Sequence, residues 1–316
     1  MKKNRIALIV TEICLLALAV FLITKIYEQK TVEKRVAVIV PNSGNEKWDF
    51  VLKGMKDAAS ANDIHLIICN TGDIESAQAE AELIREQKDN DIDGFIIYPT
   101  HGDDTEEILD DECGVFPYLL IVQDTYLSEN ENVVIAPDYY ETGYSLGQQI
   151  LKDDTHNLKG KIIGIVAGPE DSDQTQKCEA GLQAAIREAE GTISWIYHSQ
   201  PESHFMEDEA KLSDVDYLVV LAREMLDDIA EEERADGTKI YGFGNSMESI
   251  ALLDKGKIET LSITDHYALG YESVTEIAQK LKNSFYQMKS HEITTRLVSQ
   301  DELTMQDIER FIYSYE

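Results

Sequence analysis

The sequence predicts an α/β protein built as two doubly wound parallel-sheet lobes joined by a hinge, preceded by one N-terminal transmembrane helix. Apolar strand-like runs alternate with amphipathic helical stretches over most of the 316 residues, the rhythm of parallel strands with crossover helices. The series begins again near Asp138 and is run through a second time. Ahead of both lies an almost wholly apolar run, IALIVTEICLLALAVFLI, from Ile6 to Ile23.

At about 1.5 Å per residue this run is just long enough to cross a bilayer core. Lys2, Lys3 and Arg5 precede it, and the positive-inside rule puts that end in the cytoplasm and the remainder outside. The expected layout is a cytoplasmic tip and transmembrane signal anchor over residues 1–27, then a charged linker over 28–34. The binding domain is expected outside the cell membrane on this single-pass tether. A cleaved signal peptide is the rival reading, but no A-x-A pattern follows and charges begin at once with Lys25, Glu28 and Lys30. Glu12 is the one awkward polar residue within the run. No cysteine follows it closely, so a lipid anchor is not expected there.

The first series opens with RVAVIV (35–40) as a buried strand. WDFVLKGMKDAASAN (48–62) is a helix with Phe50, Val51, Met55 and Ala58 near one face. HLIIC (65–69), the helix SAQAEAELIREQKDN (76–90), GFIIYP (94–99), a further helix and YLLIVQD (118–124) follow. The second series has a helix at 142–152, KIIGIVAG (161–168), a helix at 175–190, SWIYH (194–198) and DYLVVL (216–221). It continues through a helix at 225–235, KIYGFG (239–244), TLSIT (260–264), a long helix at 269–282 and an extended tail at 295–303.

Lys and Arg total 28 against 60 Asp and Glu, a formal charge of −32. Such a surface repels phosphate backbones, so no nucleic-acid partner is expected. With 43% hydrophobic residues and clear periodicity, the acidity belongs to a solvated fold and not to a disordered chain. Cys14, Cys69, Cys113 and Cys178 lack the paired spacing of a zinc or redox motif. No G-x-S-x-G elbow, H-E-x-x-H helix or phosphate-cradling G-x-x-x-x-G-K-[ST] loop is present. Neither an enzyme nor a cofactor is expected. His101 with Asp103 and Asp104 is the one tight metal-like cluster, which at a loop reads as a solvated acidic turn.

Ligands of open α/β sheets sit beyond the carboxyl ends of the strands. Those ends fall at Asn42–Trp48, Asn70–Asp73, Tyr98–Asp103, Asp124–Tyr126, Asp138–Tyr140, Gly168–Asp173, Arg223–Glu224, Gly244–Met247 and Thr264–His266. His101 and Asp103 are candidate ligand contacts on this ground.

The segment RVAVIVPNSGNEKWDFVLKGMKDAASANDIHLIICNTGD resembles the opening of the type I periplasmic binding proteins and the ligand-binding cores of the lactose-repressor group, above all their ribose- and galactose-type branch. Gln78, Ile84, Asp93 and Gly94 continue the likeness. Asp138 with Gly143, Gly181, YGFGNSME and KGKIETLSITDHYALGY extend it over about residues 35–305. The resemblance implies a cleft closing on a small polar ligand, often a sugar. It also implies a late helix returning to the N-terminal lobe: residues 35–137 plus 265–290 form that lobe, and 138–264 plus 291–316 the other.

Sugar sites of this kind use aromatic faces and paired hydrogen bonds from charged groups. By resemblance, Asn45 and Trp48 match a polar and an aromatic position of the first loop, Asp124 an acid after the fourth strand, and Asp138 one at the crossover. Each has a plainer alternative: Asn45 and Asp138 as helix caps, Trp48 as core. Other positions depart from the pattern. The family's hydrogen-bonding arginine is Cys178, with Lys177 beside it, so a bidentate fork is lost. Thr125, Gly244 and Thr264 replace an arginine, an aspartate and a glutamine, and Arg223 and Glu224 replace an Asn-Asp pair. Three readings stay open: a different ligand, a rearranged sugar site that uses Arg223, Lys177 and Asp265, or a degenerate cleft retained for protein contacts. Two partners fit such a receptor: a membrane permease of the ABC type, or a membrane histidine kinase to which a sensory subunit reports.

Overall fold

The computed structural model describes residues 15–20, 33–100, 104–122, 132–154, 157–170, 172–200, 214–232, 237–244, 246–305, 308 and 311. Residues 1–34 and 35–316 form two separate compact units. In the first, residues 15–20 are helical with exposed side chains. Among the described residues no helix is long and apolar enough to cross a membrane, and most of the expected membrane run lies outside them.

The second unit holds two six-stranded sheets of matching order. The N-terminal sheet uses β1 (Lys34–Ile39), β2 (Ile64–Ile68), β3 (Gly94–Ile97), β4 (Tyr118–Ile121), β5 (Val134–Pro137) and β11 (His291–Ile293), in the order β11-β5-β4-β3-β1-β2. The C-terminal sheet uses β6 (Ile162–Ala167), β7 (Thr192–His198), β8 (Tyr217–Val220), β9 (Lys239–Phe243), β10 (Thr260–Thr264) and β12 (Thr295–Ser299), in the order β12-β10-β9-β8-β6-β7. The helices α1 (Asp49–Asn62), α2 (Ala77–Lys88), α3 (Thr105–Cys113), α4 (Tyr139–Asp153), α5 (Asp173–Glu188), α6 (Arg223–Glu231), α7 (Met247–Asp254) and α8 (His266–Lys282) cover the sheets.

The central strands are buried on both faces, which is why they read as unbroken apolar runs. In β1, Val36 and Val38 enter one core and Ala37 and Ile39 the other. In β8, Leu218 and Val220 face one side and Tyr217 and Val219 the opposite side.

Three crossings join the lobes. The chain leaves β5 through Asp138 into α4, which lies against α5, and returns from β10 through Asp265 into α8, which lies against α1. The third passes straight from β11 through Thr294 to β12. A strand that crosses without turning leaves one sheet along its strands and enters the other against them. Accordingly β11 is parallel to β5, whereas β12 is antiparallel to β10. This crossing falls at Thr294, later than the expected division after residue 290, because His291–Ile293 still pairs with β5. β5, β11 and α7 were not anticipated from the periodicity. Each is too short to show a period.

Candidate functional site

β5, β10 and β11 end at the hinge. Asp138 N–H donates to Ile293 O at 3.1 Å and Asp265 N–H to Thr294 O at 3.2 Å, so the three crossings are hydrogen-bonded to one another. Both aspartates are N-caps. Asp138 Oδ1 accepts from Glu141 N–H at 2.9 Å and Asp265 Oδ1 from Ala268 N–H at 2.8 Å. Each stays partly exposed. Thr142, fully buried, ties the same point down, its hydroxyl donating to Asp138 O at 2.6 Å.

In the N-terminal lobe the loop after β1 is closed by local bonds. Asn42 adopts a left-handed φ of 49° and its amide nitrogen meets Asp73 Oδ1. Asn45 is exposed, and its side-chain oxygen accepts from Lys47 N–H at 3.0 Å, closing the turn into the helix. Trp48 is 1% exposed in the hydrophobic core. Its indole N–H donates to Pro41 O at 2.8 Å, and Tyr98 meets it edge to face at 5.2 Å. The indole therefore shapes the loop from below. Tyr98, at the end of β3 and only partly buried, is the aromatic ring at the edge. Strand-end position was the signal that could have singled it out.

Glu80 is fully buried at the start of α2. Burial pushes its carboxyl up to about 7, against the opposing pull of the Thr100 N–H and hydroxyl, which donate to Oε2 at 3.3 and 3.2 Å. His101, Asp103 and Asp124 lie outside the described residues.

The C-terminal lobe presents a polar row along its strand ends. His198 Nε2 and Glu179 Oε1 are 2.6 Å apart at the end of β7, and Ser199 donates to Glu224 at 3.2 Å. Arg223, the first residue of α6, lays its guanidinium over the Phe243 ring at 4.9 Å, which fixes its plane. Among the described residues the hydroxyls of Ser262 and Thr264 are buried without a hydrogen-bond partner. Lys177 does not join this row: it is exposed and paired with Asp173 one helical turn away, at 2.6 Å. Cys178 is buried in the helix-facing core, where burial pushes its thiol up to about 12. Cys69 and Cys113 are likewise buried and free.

The structure thus ties Asp138 and Asp265 to the same crossing strand at the hinge, while Arg223 lies over Phe243 at the start of α6. The His198–Glu179 pair escaped sequence reasoning, since its partners lie on different elements and neither belongs to a motif. The row offers donors and acceptors to a polyhydroxylated ligand.

Residues 36–284 match the family described as periplasmic binding protein domain. The chain belongs to that family. A comparison with curated protein sequences finds no match. Among solved structures, GanP, a glucose-galactose binding protein from Geobacillus stearothermophilus, is 17% identical with a TM-score of 0.69, over 86% of this chain and 99% of that one. A carbohydrate transporter solute binding protein from Agrobacterium radiobacter, in complex with D-arabinose, is 15% identical with a TM-score of 0.70, over 90% and 100%. A putative LacI transcriptional regulator from Bacteroides fragilis is 15% identical with a TM-score of 0.64, over 86% and 98%. At these identities the likeness shows the two-lobed fold. The family and these transport neighbours are solute-binding proteins and not enzymes.

Proposed function

We propose that this chain is a carbohydrate receptor held at the outer face of the cell membrane, closing its lobes on a small sugar for an ABC-type transporter. The observation that carries the reading is the triple crossing. Three chain segments, bonded to one another at Asp138, Asp265 and Thr294, make a narrow joint about which two rigid lobes can turn. A ligand held by both lobes stabilises the closed form by its differential affinity for it. The D-arabinose complex and the glucose-galactose binding protein among its structural neighbours support a pentose or hexose. The apolar Ile6–Ile23 run, with Lys2, Lys3 and Arg5 ahead of it, supports an extracytoplasmic place.

A second reading keeps the ligand and changes the listener to a membrane histidine kinase. Gly244 and Thr264, which by resemblance stand where the family commonly has an aspartate and a glutamine, favour it, because a sensor tolerates weaker capture than a transport receptor. The test is a thermal-shift panel of pentoses, hexoses, nucleosides and anionic metabolites on the detergent-solubilised full chain. A rise in Tm with one sugar is expected. A flat response to every sugar would remove the carbohydrate reading, and a response to anionic metabolites alone would reassign the site to Arg223.

A further inference from the structure

From Ile277 to His291 the chain carries Lys280, Lys282 and Lys289 and no acid, in a protein with 60 Asp and Glu among 316 residues. The stretch is the end of α8 and the turn leading into β11. At its tip Phe285 is 94% exposed. This turn is rigidly built. Lys280 Nζ donates to Ser284 O and Tyr286 O at 2.9 and 2.8 Å, and Phe285 N–H donates to Asn283 Oδ1 at 3.1 Å. The buried carboxylate of Glu276 collects the Tyr286 hydroxyl, Lys289 N–H and His291 at 3.2, 2.6 and 2.8 Å. The polar groups thus hold the turn from within and the ring is left outside.

Where it points is given by the sheet. β11, β5, β4, β3 and β1 run parallel, so their starts share one edge. Phe285 precedes β11 at that edge, Val115, 96% exposed, precedes β4, and the chain enters at Lys34, the start of β1. The same edge carries Asp63 before β2, Asp91 and Asp93 before β3 and Asp111 and Glu112 before β4, so the acid-free stretch is local to this turn; the corresponding edge of the other lobe holds a groove lined by Asp153, Asp154, Asp214 and Asp216 with Lys161 and Lys239.

We propose that the Asn283–Tyr286 turn is a foot that rests on an anionic membrane surface, a reading that depends on the apolar N-terminal run being an anchor. The Phe285 ring enters the headgroup layer, and Lys282 and Lys289, both exposed, meet lipid phosphates. One ring and one valine are too small an apolar area for a stable protein interface. A lipid surface asks for no matching shape, only a local reversal of charge, and it begins where the tether does.

The full chain in proteoliposomes of phosphatidylcholine and phosphatidylglycerol tests this, with Phe285→Trp compared with Met305→Trp and the unmodified chain. The indole introduced at 285 is expected to emit at shorter wavelength and to lose about half its added emission to lipids brominated near the headgroups. Lys282→Ala with Lys289→Ala, or lipid without phosphatidylglycerol, should reverse most of that loss. An indole quenched by iodide as readily as the one introduced at Met305 overturns the proposal. So does one shielded from iodide yet untouched by bromolipid, which would reveal a protein contact. Alkaline carbonate extraction of the unmodified chain separates the two readings: release from the bilayer sinks anchor and foot together, whereas retention with a water-exposed indole sinks the foot alone.

Discussion

The two lobes are alike at the hinge and unlike at the cleft. After β5 the chain reads Asp138-Tyr-Tyr-Glu-Thr-Gly-Tyr144, and after β10 Asp265-His-Tyr-Ala-Leu-Gly-Tyr271, so both hinge helices follow the pattern D-x-Y-x-x-G-Y. In each, the aspartate caps the helix and the two tyrosines stack, at 6.3 Å in α4 and 6.0 Å in α8. The glycine sits against a partner helix: a Cβ on Gly143 would lie 1.9 Å from Cys178 O, and one on Gly270 would lie 1.9 Å from Val51 O. Gly181 and Gly54 answer from the partner helices, with Tyr140 O and Tyr267 O at 2.0 and 2.1 Å from an added Cβ. Gly54 and Gly181 are separated in sequence by the same spacing as Gly143 and Gly270. By that spacing Cys178 answers to Val51 as an element of helix packing. The same register sets Trp48 opposite Thr175, an indole plug against a hydroxyl residue capped by Ser172. The joint is duplicated, and the lining that meets a ligand is not.

The largest test of that contrast is Trp48→Ala beside Thr175→Ala. The first should cost about 3–5 kcal/mol, as large-to-small core changes do, and the second about 1 kcal/mol, both read from urea unfolding. Equal losses would mean that the plug is not a feature of one lobe. Gly143→Ala and Gly270→Ala should each cost about 3 kcal/mol, at the upper end of overpacking, because backbone meets backbone. A difference of more than about 1 kcal/mol between them would break the symmetry of the joint.

The acids buried among the described residues, Glu80, Glu106 and Glu276, all belong to the N-terminal lobe or to α8 packed on it. Glu80 makes that lobe pH-sensitive. Its folded carboxyl is held up at about 7 against an ordinary 4.5, so the unfolded chain gives up this proton first. The stability it contributes is complete below the unfolded value and drains as pH rises through the folded one, by up to about 3 kcal/mol. Glu80→Gln should flatten that fall and raise stability at pH 8, measured as Tm against pH. A steeper fall in the variant would refute the assignment.

Smaller effects sharpen the site. Asp138→Ala and Asp265→Ala should each lose about 1 kcal/mol of cap energy. If the carboxylates also face ligand, affinity for the bound sugar should drop about tenfold, some 1.4 kcal/mol. A stability loss with unchanged affinity would leave them as hinge caps alone. Lys177→Ala should stay within about 0.5 kcal/mol, since its pair with Asp173 is at the surface, and should leave sugar affinity unchanged.

The long periodic segments were legible without coordinates. RVAVIV, GFIIYP, KIIGIVAG and TLSIT lie on central strands, and α1, α5 and α8 were read where they occur to within a few residues. Short elements were not. β5 and β11, of four and three residues, hold their places because neighbours supply hydrogen bonds and cover, a tertiary cause with no local signature. Asp138 and Asp265 do directly follow β5 and β10, as their strand-end positions were read. Their cap geometry, the seating of Trp48 under the loop, and the turning of Lys177 toward Asp173 depend on helix phase at each position.

What the sequence determined by itself was the alternation of strand and helix, its repetition, the acidity and the apolar run, because these are sums over many residues and survive local error. Tertiary structure alone decided which aromatic ring reaches the edge and how His198 meets Glu179. Each of those turns on a contact of a few ångströms between different elements of the fold.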